Sequence, residues 1–249
     1  MASDLDLSRD GLLVLRNVMD VAQLSEYKAV YMNSWETIKG NWDSLKWKKY
    51  SYPEKTNLRF IGQDIFEGKL MAEFGGTVVI DIGGNRYDFT YGLGSLKITN
   101  QQILAIVESQ LKWEYIHYLG GLPIESDGES VANGMWHRDS YSLFDDDIID
   151  IALPPWYMTV LVALDDIEDG GTEFILGSHK VSLLAQGITD SAGLQQWANT
   201  QKTASIKLKR GDVCIFNGLT IHRGQAQSLT ERHLIYTVFN KNWYSEYIG

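Results

Sequence analysis

The chain reads as an all-β protein, a sandwich or barrel with two helices ahead of most of its strands. Short runs rich in β-branched and aromatic residues recur between residues 112 and 239, separated by turn signals rather than by the helical crossovers of a parallel sheet. Size agrees: 249 residues, 44% hydrophobic and 12% aromatic, can bury one sizeable core, and barrels of this length commonly form one domain. No repeat, low-complexity tract or linker interrupts residues 1–249, which are expected to be a single domain.

From the N-terminus, Val21, Leu24, Tyr27, Val30 and Tyr31 follow helical spacing behind the N-cap candidate Asp20, predicting a bracing helix over residues 20–38. An aromatic-rich stretch follows, with Trp35, Trp42, Trp47, Tyr50 and Tyr52. Val78–Ile82, the turn Gly83-Gly84-Asn85 and Arg86–Tyr91 predict a β-hairpin, because apolar residues alternate around a turn that supplies positive φ. Residues 99–109 read as a second helix, capped near Thr99 or Asn100. Strands are then expected at about 112–119, 134–139, 156–164, 172–175, 204–208, 212–216 and 232–239.

Within that frame, His137-x-Asp139 and His222, 85 residues after His137, supply two imidazoles and a carboxylate. This set suits a metal that keeps half of its octahedron open, the facial arrangement of non-haem Fe(II). Ligands at i and i+2 fit a strand, whose alternate side chains share a face, so Trp136 and Arg138 should point the other way. His222 must come from a neighbouring strand, reached through the apolar run Val213–Phe216 and the turn Asn217-Gly218. Ten residues on, Arg232 opens the last strand and shares a face with Leu234, Tyr236 and Val238. Its planar fork suits a carboxylate; pairing at the surface with Glu231 or a nearby acid is the plainer alternative.

These segments resemble a known family. Gly170-Gly171-Thr172-Glu173-Phe174-Ile175-Leu176-Gly177-Ser178-His179-Lys180 is similar to the glycine-rich signature ending in Pro-Gly-Ser-His of the phytanoyl-CoA-dioxygenase-like group of Fe(II)/2-oxoglutarate oxygenases. Gly211-Asp212 and His222-Arg223-Gly224 resemble its distal ligand segment, and the likeness spans about residues 100–243. Leu176 stands where the family has proline, Met135-Trp136 where many relatives place a glutamine, and Gln227-Ser228 where relatives often show Asn-x-Ser.

The resemblance implies a double-stranded β-helix (jelly roll) with bracing N-terminal helices. It also implies Fe(II), with 2-oxoglutarate and O2 as co-substrates, His137, Asp139 and His222 as metal ligands, and Arg232 on the distal carboxylate of 2-oxoglutarate. Thr172, after the two glycines, is a further candidate whose hydroxyl would lie near the co-substrate; simple β-propensity is the other reading of it. The expected reaction is hydroxylation, desaturation, epoxidation or cyclisation at a C–H bond of a small organic molecule, such as a specialised metabolite. Asp139 separates the chain from the halogenating branch, where a small residue replaces the carboxylate. Two other readings stand beside it: a cupin-like metal-binding jelly roll without 2-oxoglutarate chemistry, which would not require Arg232, and a protein hydroxylase.

Charge and composition exclude other classes. A net charge of −10 with scattered cations such as Lys46, Lys48 and Lys49 argues against nucleic acid. The lone Cys214 lies in an apolar strand and forms no internal disulfide, and Met1–Asp6 lacks a basic, then apolar, leader. No apolar run reaches membrane length, so a cytoplasmic protein is expected. Asp145, Asp146, Asp147 and Asp150 are expected in a solvated loop rather than a second metal site. His179 is expected to bond backbone in its turn, and His117 and His233 to be ordinary strand residues. Tyr87, Tyr141, Phe144 and the tryptophans of residues 35–47 are candidates for the wall of an apolar cavity. The sequence carries no signal for oligomeric state.

Overall fold

The computed structural model describes residues 5–51, 66–112, 115–125, 132–226 and 231–244. Tyr52, Gln227, Ser228 and the side chain of His117 lie outside that set. After a short helix α1 (Leu7–Asp10) come β1 (Leu12–Leu15) and the long helix α2 (Val21–Gly40). Asp20 caps α2 by accepting from the amides of Ala22 and Gln23, satisfying donors that the first turn cannot pair internally. Strands β2 (Lys48–Lys49), β3 (Leu70–Phe74), β4 (Thr77–Asp81) and β5 (Tyr87–Phe89) precede α3 (Gln101–Leu111), which Asn100 caps. Then follow β6 (Tyr115–Ile124), α4 (Asp147–Ala152), β7 (Tyr157–Ala163), β8 (Ile167–Ile175), α5 (Ser191–Ala198), β9 (Thr203–Leu208), β10 (Val213–Asn217), β11 (His222–Gly224) and β12 (Arg232–Lys241).

All strand pairs are antiparallel among the described residues. They build a nine-stranded sheet, in the order β1-β10-β7-β12-β6-β5-β4-β3-β2, and a three-stranded sheet, β11-β8-β9. The period of two divides the large sheet's side chains between two cores. Met158, Val160 and Val162 of β7, Val213 and Ile215 of β10 and Ile235 and Phe239 of β12 face the helices, packing on Leu24, Tyr27, Tyr31, Trp35 and Ile38 of α2 and Ile103, Val107 and Leu111 of α3. The α2 residues recur at three- and four-residue steps, one stripe of the helix. Alternate residues Leu161, Ala163, Cys214, Phe216 and Leu234 face the small sheet and meet Phe174, Ile206 and Leu208. Strands buried on both faces read as continuous apolar runs, and β7 is buried at all seven positions.

Three expectations are corrected. Residues 134–139 form no regular strand: His137 makes a single bridge to His222, after which the amides of Asp139 and Ser140 both donate to the Gly218 carbonyl and turn the chain away. The acidic cluster is not a solvated loop but the start of α4. Asp146 caps the helix, Asp150 is fully buried, and buried Asp147 accepts from Ser182 Oγ at 2.5 Å and the Leu183 amide at 2.6 Å. The tryptophans of residues 35–47 do not wall a cavity. Trp35 stacks on Phe89 (centroids 5.3 Å apart) and meets Trp42 edge-on, and Trp42 packs on Trp47, on the helix side of the large sheet. Strand β6 also runs on to Ile124, and β1, β3 and α5 carry no strong periodic signal in their short sequences.

Candidate metal centre

His222 opens β11, and its backbone exchanges two hydrogen bonds with His137: His137 N to His222 O at 2.9 Å, and His222 N to His137 O at 3.0 Å. This pair brings together ligands from distant segments. The ligating atoms of His137, Asp139 and His222 all lie within 4.8 Å of one another. His137 Nε2 is 3.7 Å, and His222 Nε2 3.4 Å, from Asp139 Oδ1.

Each ring is oriented through its other nitrogen. His137 Nδ1 meets the Met135 carbonyl, and His222 Nδ1 the Thr220 carbonyl, both at 2.9 Å. A carbonyl only accepts, so each Nδ1 carries the proton and each Nε2 presents a lone pair to the shared space, the usual arrangement of ligating imidazoles. Phe174 stacks on the His222 ring and Phe216 meets it edge-on, fixing its plane. Asp139 Oδ2 accepts from Thr159 Oγ1 at 2.6 Å, which leaves Oδ1 to the histidines.

Electrostatics favour a cation here. Burial, then the neighbouring His222, push His137 down to about 4, so its Nε2 is unprotonated at neutral pH. Burial alone would raise Asp139, yet His222 and the hydrogen bonds hold it down at about 2. Burial opposes charging His222, but Asp139 outweighs it and raises its pKa. Two neutral-capable imidazoles and an ionised carboxylate fit a divalent metal of the iron type.

The triad lies in the wall of a cavity of about 450 Å³ between the sheets. Thr172, on β8 opposite Gly224, and Arg232 line the same cavity. Arg232 is 7% exposed and pairs with no carboxylate among the described residues. Its Nη1 donates to the Gly170 carbonyl, and its Nε has no partner among the described residues. Gly170 sits at a register shift in β8 with φ of 66°, a conformation that glycine takes without strain and that turns its carbonyl to the guanidinium. Burial and then the nearby Arg86 lower Arg232 to about 10, which still leaves it charged. The alternative pairing of Arg232 with Glu231 is not formed.

Of the aromatic candidates, Tyr87 and Tyr141 line the cavity, together with Tyr50, Phe66, Tyr157 and Tyr236. Phe144 does not, and is 44% exposed. His179 Nε2 meets the Ser8 carbonyl at 3.2 Å in its turn, as expected. His233 is buried against Asp165, at 2.6 Å, on the opposite face of β12. Arg138 and Trp136 point away from the triad: Arg138 is buried beside Asp147, and Arg223 lies over the Trp136 ring. Sequence reasoning missed Thr159, which is one β-former within the apolar run of β7. It also missed Arg86 and Asp88, whose hairpin was legible but whose approach to the site was not.

Residues 118–234 match the family model described as phytanoyl-CoA dioxygenase (PhyH). Over those residues the chain is phytanoyl-CoA dioxygenase-like. Solved structures agree on the fold. AviO1 from Streptomyces viridochromogenes Tue57 is 14% identical, with 96% of this chain and 94% of that one covered and a TM-score of 0.60. HygX from Streptomyces hygroscopicus, solved with nickel and 2-oxoglutarate bound, is 16% identical over 96% and 86% of the two chains, with a TM-score of 0.56. The non-heme alpha ketoglutarate dependent epimerase SnoN from nogalamycin biosynthesis is 17% identical over 94% and 78%, with a TM-score of 0.57. No curated protein matches the chain. The phytanoyl-CoA dioxygenase-like core is a jelly roll, with α2 and α3 bracing the outer face of its large sheet.

Proposed function

We propose that this phytanoyl-CoA dioxygenase-like protein is a non-haem Fe(II)/2-oxoglutarate-dependent oxygenase that oxidises a C–H bond of a small organic molecule. The observation that carries the reading is the clustered His137, Asp139, His222 set sharing one cavity with Arg232, a buried cation that has no carboxylate partner among the described residues. A metal-binding jelly roll without an acidic co-substrate has no use for that desolvated charge.

Iron held by His137, Asp139 and His222, together with 2-oxoglutarate and O2, would supply the oxidative chemistry that turns 2-oxoglutarate into succinate and CO2 and oxidises a substrate C–H bond. The protein positions and shields. His137 and His222 present fixed Nε2 lone pairs, and Thr159 aims Asp139. Arg232 takes the distal carboxylate of 2-oxoglutarate in place of water, with the Thr172 hydroxyl beside it. The apolar wall, including Leu161, Leu234 and Val238, excludes solvent from the reacting bond.

The family match supports this class, and the solved structures support a small-molecule substrate. HygX has been solved with hygromycin B bound, SnoN with nogalamycin RO, and SnoK is a non-heme alpha ketoglutarate dependent carbocyclase from nogalamycin biosynthesis. Epimerisation and ring closure therefore join hydroxylation, desaturation and epoxidation as outcomes within reach of this cavity.

Anaerobic titration of the protein with Fe(II) and then 2-oxoglutarate tests the reading. A visible charge-transfer band that needs both is expected. His137→Ala, Asp139→Ala and His222→Ala should each lose it. Arg232→Gln should keep metal affinity yet weaken 2-oxoglutarate by about 30-fold or more, since truncating a buried charge pair costs roughly 2–5 kcal/mol. No band in the unaltered protein, or an unchanged 2-oxoglutarate affinity in Arg232→Gln, overturns it.

A further inference from the structure

Asp88 is a cavity carboxyl that the proposed chemistry does not use. It sits on β5, on the inward face, beside β6 and within reach of β12. Tyr236 of β12 reaches across β6 to donate its hydroxyl to Asp88 Oδ1 at 3.0 Å. That reach depends on Gly120, because a Cβ there would stand 2.3 Å from the phenol ring and oxygen. A glycine, a tyrosine and an aspartate on three adjacent strands thus hold one carboxyl in one orientation.

The charge of that carboxyl is unanswered. No Lys or Arg pairs with Asp88 among the described residues. Arg86, two residues earlier and also lining the cavity, turns its Nη2 to the Gln225 carbonyl at 2.7 Å instead. Burial pushes Asp88 up to about 7, against the pull of the Tyr236 hydrogen bond, and the nearby Asp139 adds to the rise. A carboxyl so raised is only partly ionised near neutral pH; a cation bound beside it would draw it to the carboxylate, and no described side chain supplies one.

We infer that Asp88, positioned by Tyr236, is the substrate-recognition carboxylate of this cavity and that the prime substrate carries a protonated amine that pairs with it. A neutral hydroxyl would give a hydrogen bond but leave the charge uncompensated, so an ammonium is the better complement. The inference rests on the oxygenase reading for what the cavity is for, and it names the class of molecule taken there.

Binding, rather than turnover, tests it. The probes are 2-phenylethylamine and its matched alcohol, 2-phenylethanol, titrated by ligand-observed NMR onto the protein loaded with Ni(II) and 2-oxoglutarate, and onto the unloaded protein. The amine should bind the unaltered protein about tenfold or more tighter than the alcohol. Asp88→Asn, which keeps the shape and the acceptor for Tyr236, should remove that preference while alcohol binding stays the same. Tyr236→Phe should weaken the amine severalfold and leave the alcohol unchanged. Equal affinities for the two probes, no amine binding, or an amine affinity indifferent to Asp88→Asn overturns the inference. These outcomes are separable from failure of the oxygenase reading, which is judged by the Fe(II) and 2-oxoglutarate band and by Arg232→Gln.

Discussion

At the scale of the residue, the triad is a problem of lone-pair direction, and backbone carbonyls solve it for both imidazoles. The carboxylate needs a different device, and Thr159 provides it with a hydrogen bond of 2.6 Å to the oxygen that faces away from the histidines. Thr159→Val keeps the side-chain shape and deletes that donor. Metal affinity should fall by roughly 10- to 100-fold, read by competition against a Ni(II) chelator, with the far-ultraviolet circular dichroism unchanged. The clustering of His137, Asp139 and His222 was legible, because two imidazoles and a carboxylate are rare chemistry and the i, i+2 spacing of the first pair is a local fact. Thr159 was not. Its role exists only because β7 passes under Asp139, 20 residues back in the chain, and nothing in Tyr157-Met158-Thr159-Val160 distinguishes a ligand-orienting hydroxyl from an ordinary β-former.

At the scale of the element, the period of two was a reliable guide wherever both faces of a strand had a partner. The face of β12 that carries Arg232, Leu234, Tyr236 and Val238 does line the cavity, and His233, Ile235 and Phe239 lie behind it. The same reasoning failed at residues 134–139, where the side chains alternate as a strand's would but the backbone keeps a single bridge. It failed again at α4, for a physical reason: adjacent like charges argue for hydration only if no partner arrives from elsewhere. Ser182, the Leu183 amide and Arg138 all come to Asp147, the last with Nη1 3.4 Å away. Asp147→Ala should therefore remove the acid beside the buried Arg138 guanidinium and the acceptor of the Ser182 hydroxyl and the Leu183 amide. A loss of about 3–5 kcal/mol is expected, seen as a lower midpoint in urea, whereas the same change at exposed Asp145 should cost little.

At the scale of the whole molecule, the recognition carboxyl makes stability depend on pH in an uncommon direction. Burial pushes the Asp88 carboxyl up to about 7 in the folded protein, against about 3.9 for a free aspartate. Between those values the folded chain holds a proton that the unfolded chain gives up. The contribution of Asp88 to stability is therefore complete below the lower value and is lost as pH rises through the upper one. Asp88→Asn should raise the stability of the metal-free protein by roughly 2–4 kcal/mol near pH 8 and by almost nothing near pH 4, measured by urea unfolding at the two pH values. Assembly has a sequence of its own. Strand β1, at residues 12–15, takes β10, at residues 213–217, as its sheet neighbour, and His137 takes His222. On the ribosome, the N-terminal strand leaves the exit tunnel some 200 residues before its mate, a delay of about 10–40 s at ordinary elongation rates. Until then the nascent chain displays an unpaired apolar strand and an imidazole and carboxylate that cannot yet close on an ion. A chain cut short before His222 would therefore lack one of the three side chains of the candidate metal centre.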